Sequence, residues 1–265
     1  MKRIMSLGIA MVLMSIFVVV PVFAQQNRLP THSELKEALA RARSEDNGGL
    51  DLDMWATVVD RDGVVRAVAF TGDDRGDQWP GSRVISAQKA NTANAFSLPG
   101  LALSSANLFA PTQPGGSLFG LQESNPVDIQ TAYGGSAELY GQPNDPMVGR
   151  KIGGVNVFGG GLALYNEEGE IIGGIGVSGD LSCADHIIAW KTRDYLGLDY
   201  VPGGVSETGD DTIIFDIAPD PNTGNLTSAG GYGHPECTAD TTRIAEMLPD
   251  THPIGEVRRS GGTGR

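Results

Sequence analysis

Three side chains on one predicted helix could together receive an anionic group of a ligand. Lys89, Thr92 and Phe96 lie at positions i, i+3 and i+7 and therefore share a helix face. An ammonium and a hydroxyl beside an aromatic ring suit a carboxylate or phosphate on a small molecule. The same pattern also describes a solvated helix face whose Phe96 covers the core, and the spacing by itself favours this second interpretation.

A glycine-rich strand end offers a second place for a ligand. Gly176, Ser178 and Gly179 come shortly before Ser182 and Asp185, where a further helix is expected to begin. Glycines allow a ligand or another backbone to approach closely, and the free N–H groups at a helix start attract anions. Alternatively, Ser182 and Asp185 have the spacing of a capping box, in which the carboxylate satisfies backbone donors.

The elements that must position these residues alternate between helices and strand pairs. Apolar periodicity and turn residues predict a helix from Thr31, strands at 54–60 and 64–70, a helix at 82–96, strands at 161–165 and 171–177, and a helix from Ser182. Thr31 and Glu34 also have capping-box spacing. The order predicts an α+β fold in which an antiparallel sheet carries packed helices.

Two segments lack a sustained period. Residues 98–153 are rich in proline and glycine, and such a long structureless connection is unusual in a compact domain. We therefore expect this insertion, within a domain at 30–200, to form an ordered lid or an interface arm. Residues 201–265 form an acidic C-terminal extension, with a strand expected at 212–217 and a short helix near 242–247.

The composition excludes several classes of protein. Of the 265 residues, 19 are Lys or Arg and 32 are Asp or Glu, which gives a formal charge of −13. Phosphate contacts need Lys and Arg, so this balance argues against binding to nucleic acid or to an anionic membrane. Two cysteines are too few for a four-thiolate metal site, and no metal site is predicted. P-loop, zincin and nucleophile-elbow motifs are absent, and no G-x-G-x-x-G run opens a helix after a strand.

The first 24 residues have the organisation of a signal peptide. Lys2 and Arg3 precede an apolar stretch at 4–22, and Ala24 ends a small-residue cleavage site. The stretch is also near the ~20 residues that a membrane anchor needs, but the Ala24 junction favours cleavage. We therefore expect an exported protein, periplasmic or secreted, with no membrane attachment after cleavage, in a compartment that permits disulfides.

Two segments, in the same order, resemble a known family. AQKANTANAF and the later IGGIGVSGDLSCADHIIAW resemble the GlcG/HbpS-type haem-binding (haem-degrading) domain family, which includes the PduO C-terminal domain. That family combines a helix A-x-K-A-x-T-A-x-x-F with a strand G-x-I-G-V-S-G and an Asp six residues later. The matching residues are Ala87, Lys89, Ala90, Thr92, Ala93, Phe96, Gly173, Ile175, Gly176, Val177, Ser178, Gly179 and Asp185.

The resemblance implies an α+β fold similar to the PAS/profilin-like layer, assembly into homo-oligomers, and haem as a non-covalent cofactor. Haem ligation is not uniform in the family, so no axial ligand is implied. The ligand-binding residues predicted from the motifs are Lys89, Thr92, Phe96, Gly176, Ser178, Gly179, Asp185 and His186.

Three functions of different classes follow from these observations. The leading hypothesis is an exported haem- or tetrapyrrole-binding protein that acts as a carrier, scavenger or sensor. The alternative is a small-molecule enzyme, an isomerase, lyase or oxidoreductase accessory, that acts on an organic acid in the same pocket. Lys89 and Asp185 would then transfer protons, provided that burial shifts their pKa values. A structural module with the insertion as its interface is the third.

The two cysteines occur in mirrored contexts, Cys183-x-x-His186 and His234-x-x-Cys237. Two thiolates and two imidazoles would suit zinc, whereas a disulfide would join the C-terminal extension to the domain. The expected export favours a disulfide between Cys183 and Cys237. His186 and His234 then remain as lesser candidates for haem ligation.

Overall fold

A four-stranded antiparallel sheet forms the centre of the molecule in the computed structural model, which describes residues 28–221 and 224–258. Its strands are β1 (Trp55–Asp60), β2 (Val65–Phe70), β3 (Gly161–Tyr165) and β4 (Ile171–Ser178), in the spatial order β2-β1-β4-β3. This sheet with its packed helices confirms the predicted α+β fold. The signal peptide predicted at 1–24 lies outside the described residues.

Helices cover both faces of the sheet. The helices are α1 (His32–Arg43), α2 (Ser82–Phe96), α3 (Phe109–Thr112), α4 (Ile129–Tyr133), α5 (Ser182–Tyr195), α6 (Ala239–Glu246) and α7 (Leu248–Thr251). Ala56 and Val58 of β1 pack with α1 and α5 in one apolar core. Trp55 and Val59 of the same strand pack with α2 in a second core on the opposite face. The alternation along a strand therefore separates two helical layers.

The first helix begins as its sequence predicts. The Thr31 hydroxyl accepts a hydrogen bond from the backbone N–H of Glu34, and the Glu34 carboxylate accepts one from the N–H of Thr31 at 2.7 Å. This capping box satisfies two N–H groups that the helix itself cannot pair. All four apolar positions of the predicted stripe, Leu35, Ala38, Leu39 and Ala42, are buried.

The insertion at 98–153 is ordered and packs on the α2 side of the sheet. It contains α3, α4 and 3-10 turns at Ala106–Leu108 and Ala137–Leu139. Ala132, Met147 and Ile152 from this segment complete the apolar core beneath α2. The insertion therefore builds part of the α2 layer.

The C-terminal extension departs from its prediction in one place. The strand expected at 212–217 is wrong, because β5 runs over Ile217–Pro219 and pairs with β6 (Leu226–Ser228) in a separate two-stranded sheet. The backbone before β5 is instead held by side chains: Arg193 of α5 donates to both carboxylate oxygens of Asp211 at 2.8 Å, and both residues are buried. In the part of the chain that is described, no helix is long and apolar enough to cross a membrane.

Candidate functional site

A buried ion pair connects the two helical layers at one end of the sheet. The Lys89 ammonium of α2 lies 2.7 Å from a carboxylate oxygen of Asp185 on α5 and donates to the Val177 carbonyl at 3.1 Å. The two side chains are only 1% and 3% exposed. Since α2 and α5 cover opposite faces of the sheet, this pair fixes their relative position.

Glycines make room for this connection. A Cβ atom at Gly176 would overlap the Ser86 carbonyl oxygen of α2. One at Gly160 would collide with the Val177 carbonyl and crowd the Lys89 ammonium. The glycine-rich strand predicts that a ligand or another backbone approaches it closely. At Gly176, the backbone of α2 makes this approach.

The capping box expected for Ser182 and Asp185 does not form. Ser182 is the first residue of α5, and Leu181 stands at the N-cap without a side-chain hydrogen bond. The second oxygen of Asp185 instead accepts N–H groups of Gly179 at 3.0 Å and Asp180 at 2.9 Å. The carboxylate thus satisfies the backbone of the β4–α5 turn rather than the helix start, which the spacing alone could not distinguish.

Burial sets the pKa values of the pair. It lowers the pKa of Lys89, against the opposing effect of the Asp185 carboxylate. It likewise raises the pKa of Asp185 to about 6, although the Lys89 ammonium and the turn N–H groups act in the other direction. Both shifts arise because the charged forms lose hydration in the interior.

The other predicted ligand-binding residues lie close to this pair but are also turned inward. Buried Thr92 donates its hydroxyl to the Gln88 carbonyl at 2.7 Å and accepts the Asn156 N–H at 3.0 Å. Phe96 is half-buried beside an apolar cluster of the insertion. Ser178 is buried opposite Trp55 in the β1–β4 register.

The mirrored cysteine segments are joined as the sequence favours. Cys183 and Cys237 form a disulfide between α5 and the C-terminal extension, and the Cys237 sulfur lies 3.3 Å from the Cys183 backbone nitrogen. Sulfurs bound to each other cannot act as two thiolate ligands of zinc. Across 28–221 and 224–258, no group of three or more His, Cys, Asp or Glu side chains is arranged to hold a metal ion.

Both histidines of these segments are buried, and the Nδ1 atom of His186 has no hydrogen-bond partner among the described residues. His186 accepts the N–H of Ile213 at 3.1 Å, and burial lowers its pKa to about 3. His234 lies 3.3 Å from the Ser182 hydroxyl through Nε2 and 2.7 Å from the Pro235 carbonyl through Nδ1. Burial lowers the pKa of His234 to about 4, so both rings are neutral at pH 7.

An open cavity lies elsewhere, against the N-terminal end of α2. Its volume is about 460 Å³. We call it the aromatic cavity; its lining residues are Trp55, Asp74, Arg75, Gly76, Pro80, Gly81, Arg83, Val84, Tyr133, Ala137 and Tyr140. Sequence reasoning missed it because its rings and arginines come from four separate segments, none of which forms a recognisable motif.

A buried network fixes one wall of the aromatic cavity. Arg83 donates to both carboxylate oxygens of Asp145, through Nε at 2.9 Å, and to the Ala132 carbonyl at 2.8 Å. Its guanidinium stacks 3.6 Å from the centre of the Tyr140 ring. The Arg83 charge is buried and compensated by Asp145, whereas Arg75 is 43% exposed, and its one ion-pair partner among the described residues, the exposed Asp74, lies 3.7 Å away.

Two further cavities have different linings. A groove of about 870 Å³ lies between α3 and the β5–β6 sheet, and its described lining includes one charged residue, Asp220, and no cation. A cavity of about 270 Å³ beside the end of α1 is lined by five acidic residues and Arg43. Of the three cavities described, none is lined by Lys89, Thr92, Phe96, Ser178, Asp185 or His186.

Comparison with known proteins gives a family match over most of the domain. Residues 31–193 match the family model described as haem degrading protein HbpS-like. No curated protein matches the chain. Similar solved structures include a PduOC–haem complex, which is 24% identical over 63% of this chain and 94% of that chain, with a TM-score of 0.44. Protein ORFY of Klebsiella pneumoniae is 23% identical over 63% of this chain and 90% of that chain, with a TM-score of 0.43. An HbpS double mutant of Streptomyces reticuli is also similar, with 18% identity over 72% of this chain and 99% of that chain and a TM-score of 0.38. Because the family model covers more than half of its length, the chain belongs to the HbpS-like family.

Proposed function

We propose that this protein binds haem or a related tetrapyrrole without a covalent bond, in the aromatic cavity. The observation that carries the proposal is the wall itself, where Trp55, Tyr133 and Tyr140 stand beside Arg75. A tetrapyrrole is a flat apolar ring system with carboxylates on one edge. Aromatic side chains bury such a ring efficiently, and a guanidinium recognises a carboxylate.

The residues on the wall fit such a ligand. The volume of about 460 Å³ lies within the range of small-molecule sites. Trp55 is buried on this wall, and its indole N–H has no hydrogen-bond partner among the described residues. This donor is enclosed within the wall, so the fit to a tetrapyrrole rests on the rings and on Arg75.

The residues that carry the family resemblance have an indirect role in this proposal. Lys89 and Asp185 hold α2 and α5 in place, and Gly176 seats α2 against β4. Arg83, on the same helix α2, is thereby positioned at the cavity wall. The motif residues support the ligand site and contact the ligand little or not at all.

Export and physiological role complete the proposal. We place the protein outside the cytoplasm because of the predicted signal peptide, and the Cys183–Cys237 disulfide is compatible with an oxidising compartment. Its role there would be that of a haem carrier, scavenger or sensor. The homo-oligomer implied by the family resemblance stays a prediction, which sedimentation at micromolar concentration can test.

The enzyme alternative rests on one observation, the opposing pKa shifts of Lys89 and Asp185. Perturbed pKa values occur at catalytic sites but also in structural ion pairs. Neither residue lines a described cavity, so the proposed function does not include this chemistry.

Titration of the purified protein with haemin tests the proposal. We expect a saturable shift of the Soret band at one haem per chain, with a midpoint in the micromolar range or below. Metal-free protoporphyrin should quench the tryptophan fluorescence with the same stoichiometry, since Trp55 lies on the wall. Absence of saturable binding for both compounds would contradict the proposal.

A further inference from the structure

We propose that Tyr133 supplies the axial ligand of the haem iron as a phenolate, which forms when the ferric iron displaces the phenol proton to the solvent at the open cavity. This inference rests on the proposed function and adds to it the residue that binds the metal. Ferric iron takes oxygen, nitrogen or sulfur ligands, and tyrosinate is among the axial ligands that proteins use. Among the described residues, no His, Cys or Met side chain lines the aromatic cavity, so its wall offers oxygen donors.

The wall carries three oxygen donors of this kind, in Asp74, Tyr133 and Tyr140. One carboxylate oxygen of Asp74 accepts the N–H of Gly76 at 2.9 Å, and the other faces Arg75 at 3.7 Å. The Tyr140 hydroxyl lies 3.1 Å from the Tyr133 carbonyl and 3.3 Å from the Gly134 carbonyl, where it donates a proton. Both groups would have to give up these contacts before they could bind iron.

The Tyr133 side chain has no such contacts. Tyr133 is the last residue of α4 and is 64% exposed, and its phenol forms no hydrogen bond within the described residues. The Tyr140 hydroxyl bonds to the carbonyls of Tyr133 and Gly134 and thus holds the backbone that carries this side chain. The cavity therefore presents a phenol that is held in position at its backbone and unpaired at its oxygen.

The buried histidines do not compete for this role. The Nε2 atom of His186 is occupied by the Ile213 N–H, whereas its Nδ1 atom is buried without a partner among the described residues. Both nitrogens of His234 have partners. Neither side chain lines the aromatic cavity. His186 and His234 are buried, so iron could reach either ring only after the surrounding chain moves, whereas Tyr133 is exposed on the cavity wall.

The experiment compares Tyr133→Phe with Tyr232→Phe, a control at an exposed tyrosine outside the aromatic cavity, each titrated with haemin and with metal-free protoporphyrin. Protoporphyrin needs the cavity but no axial ligand, so it separates loss of the iron ligand from loss of the site. We expect Tyr133→Phe to weaken haemin binding by about tenfold or more, which corresponds to ~1.4 kcal/mol, and to leave protoporphyrin binding unchanged. The tyrosinate–iron bands of the resonance Raman spectrum should disappear in Tyr133→Phe, while Tyr232→Phe should retain them.

A rescue variant completes the test. Tyr133→His should restore haemin affinity and replace the tyrosinate spectrum by that of an imidazole-ligated haem. If wild-type protein binds haemin and protoporphyrin but Tyr133→Phe shows the same haemin affinity and spectrum, the axial assignment is wrong and the proposed function stands. If wild-type protein binds neither compound, both proposals fall.

Discussion

The ion-pair cluster and the aromatic cavity differ in almost every physical respect. Around Lys89 and Asp185 the chain is sealed, with charged side chains that satisfy each other and the backbone. The aromatic cavity is open, and Tyr133 and Arg75 on its wall are 64% and 43% exposed. The cluster carries the family resemblance, whereas much of the cavity wall comes from the insertion and from the loop before α2.

This difference separates the residues that identify the family from those that would contact a ligand. The packing of α2 on β4 leaves no room for a Cβ at Gly176, and a buried ammonium demands a carboxylate. Those requirements give a recognisable pattern in the sequence. A cavity wall needs only rings and charges of suitable size, so its residues can come from segments without a pattern.

The largest expected effect is on the stability of the ion-pair cluster. Asp185→Asn leaves the Lys89 ammonium buried without a counter-charge but keeps an oxygen for the turn N–H groups. We expect a loss of about 3–5 kcal/mol in the free energy of unfolding, measured by denaturant titration. Adding Lys89→Met should recover much of this loss because it removes the unpaired charge. Wild-type stability combined with lost haemin binding would instead make the cluster the ligand site.

A smaller effect, which depends on pH, is expected at His234. Burial lowers its pKa from 6.5 to about 4, so the folded state excludes a proton that the unfolded chain binds below pH 6.5. The stability that His234 contributes is therefore complete above that pH and is lost as the pH falls towards 4. At 1.36 kcal/mol per pKa unit, the stability difference between wild type and His234→Gln should shrink by about 3 kcal/mol over this window. A difference that stays constant with pH would contradict the burial of a neutral ring.

The sequence predicted the sheet and the three long helices because each has its own periodic pattern and turn. Leu35 and Leu39 of α1, for example, show in the sequence the face that they bury. The Asp185 carboxylate was predicted to cap its own helix, because spacing cannot reveal that the N–H groups of the β4–α5 turn are nearer. The strand predicted at 212–217 does not form, because Arg193 of α5 holds Asp211 through a contact between distant positions of the sequence.

The candidate site was the least predictable part. Lys89 and Thr92 share a helix face as predicted, but their partners, Asp185 and the Asn156 N–H, come from distant segments. The aromatic cavity exists only because α4 of the insertion is folded against the start of α2. No local pattern encodes that meeting of segments.

A large side chain placed in the aromatic cavity tests whether the ligand binds there. Ala137 is exposed on the wall, so Ala137→Trp should occupy the space of a ligand and leave the folded core intact. We expect haemin affinity to fall by about tenfold or more with an unchanged unfolding midpoint. Ser117→Trp, at an exposed position in the larger groove, is the matched control and should bind haemin normally. If Ser117→Trp weakened haemin binding and Ala137→Trp did not, the ligand would bind in the groove instead of the aromatic cavity.

The smallest expected effect concerns the charge at the cavity wall. If Arg75 pairs with a haem propionate, Arg75→Ala should weaken haemin binding by about fivefold, the ~1 kcal/mol of one partly solvated ion pair. Haemin dimethyl ester has no free carboxylates, so wild type should bind it more weakly than haemin. That preference should shrink in Arg75→Ala and stay unchanged in the control Arg66→Ala, an exposed arginine paired with Asp60. Because Arg83 is already neutralised by Asp145, a preference for free carboxylates that survives in Arg75→Ala would show that another cation holds the propionates.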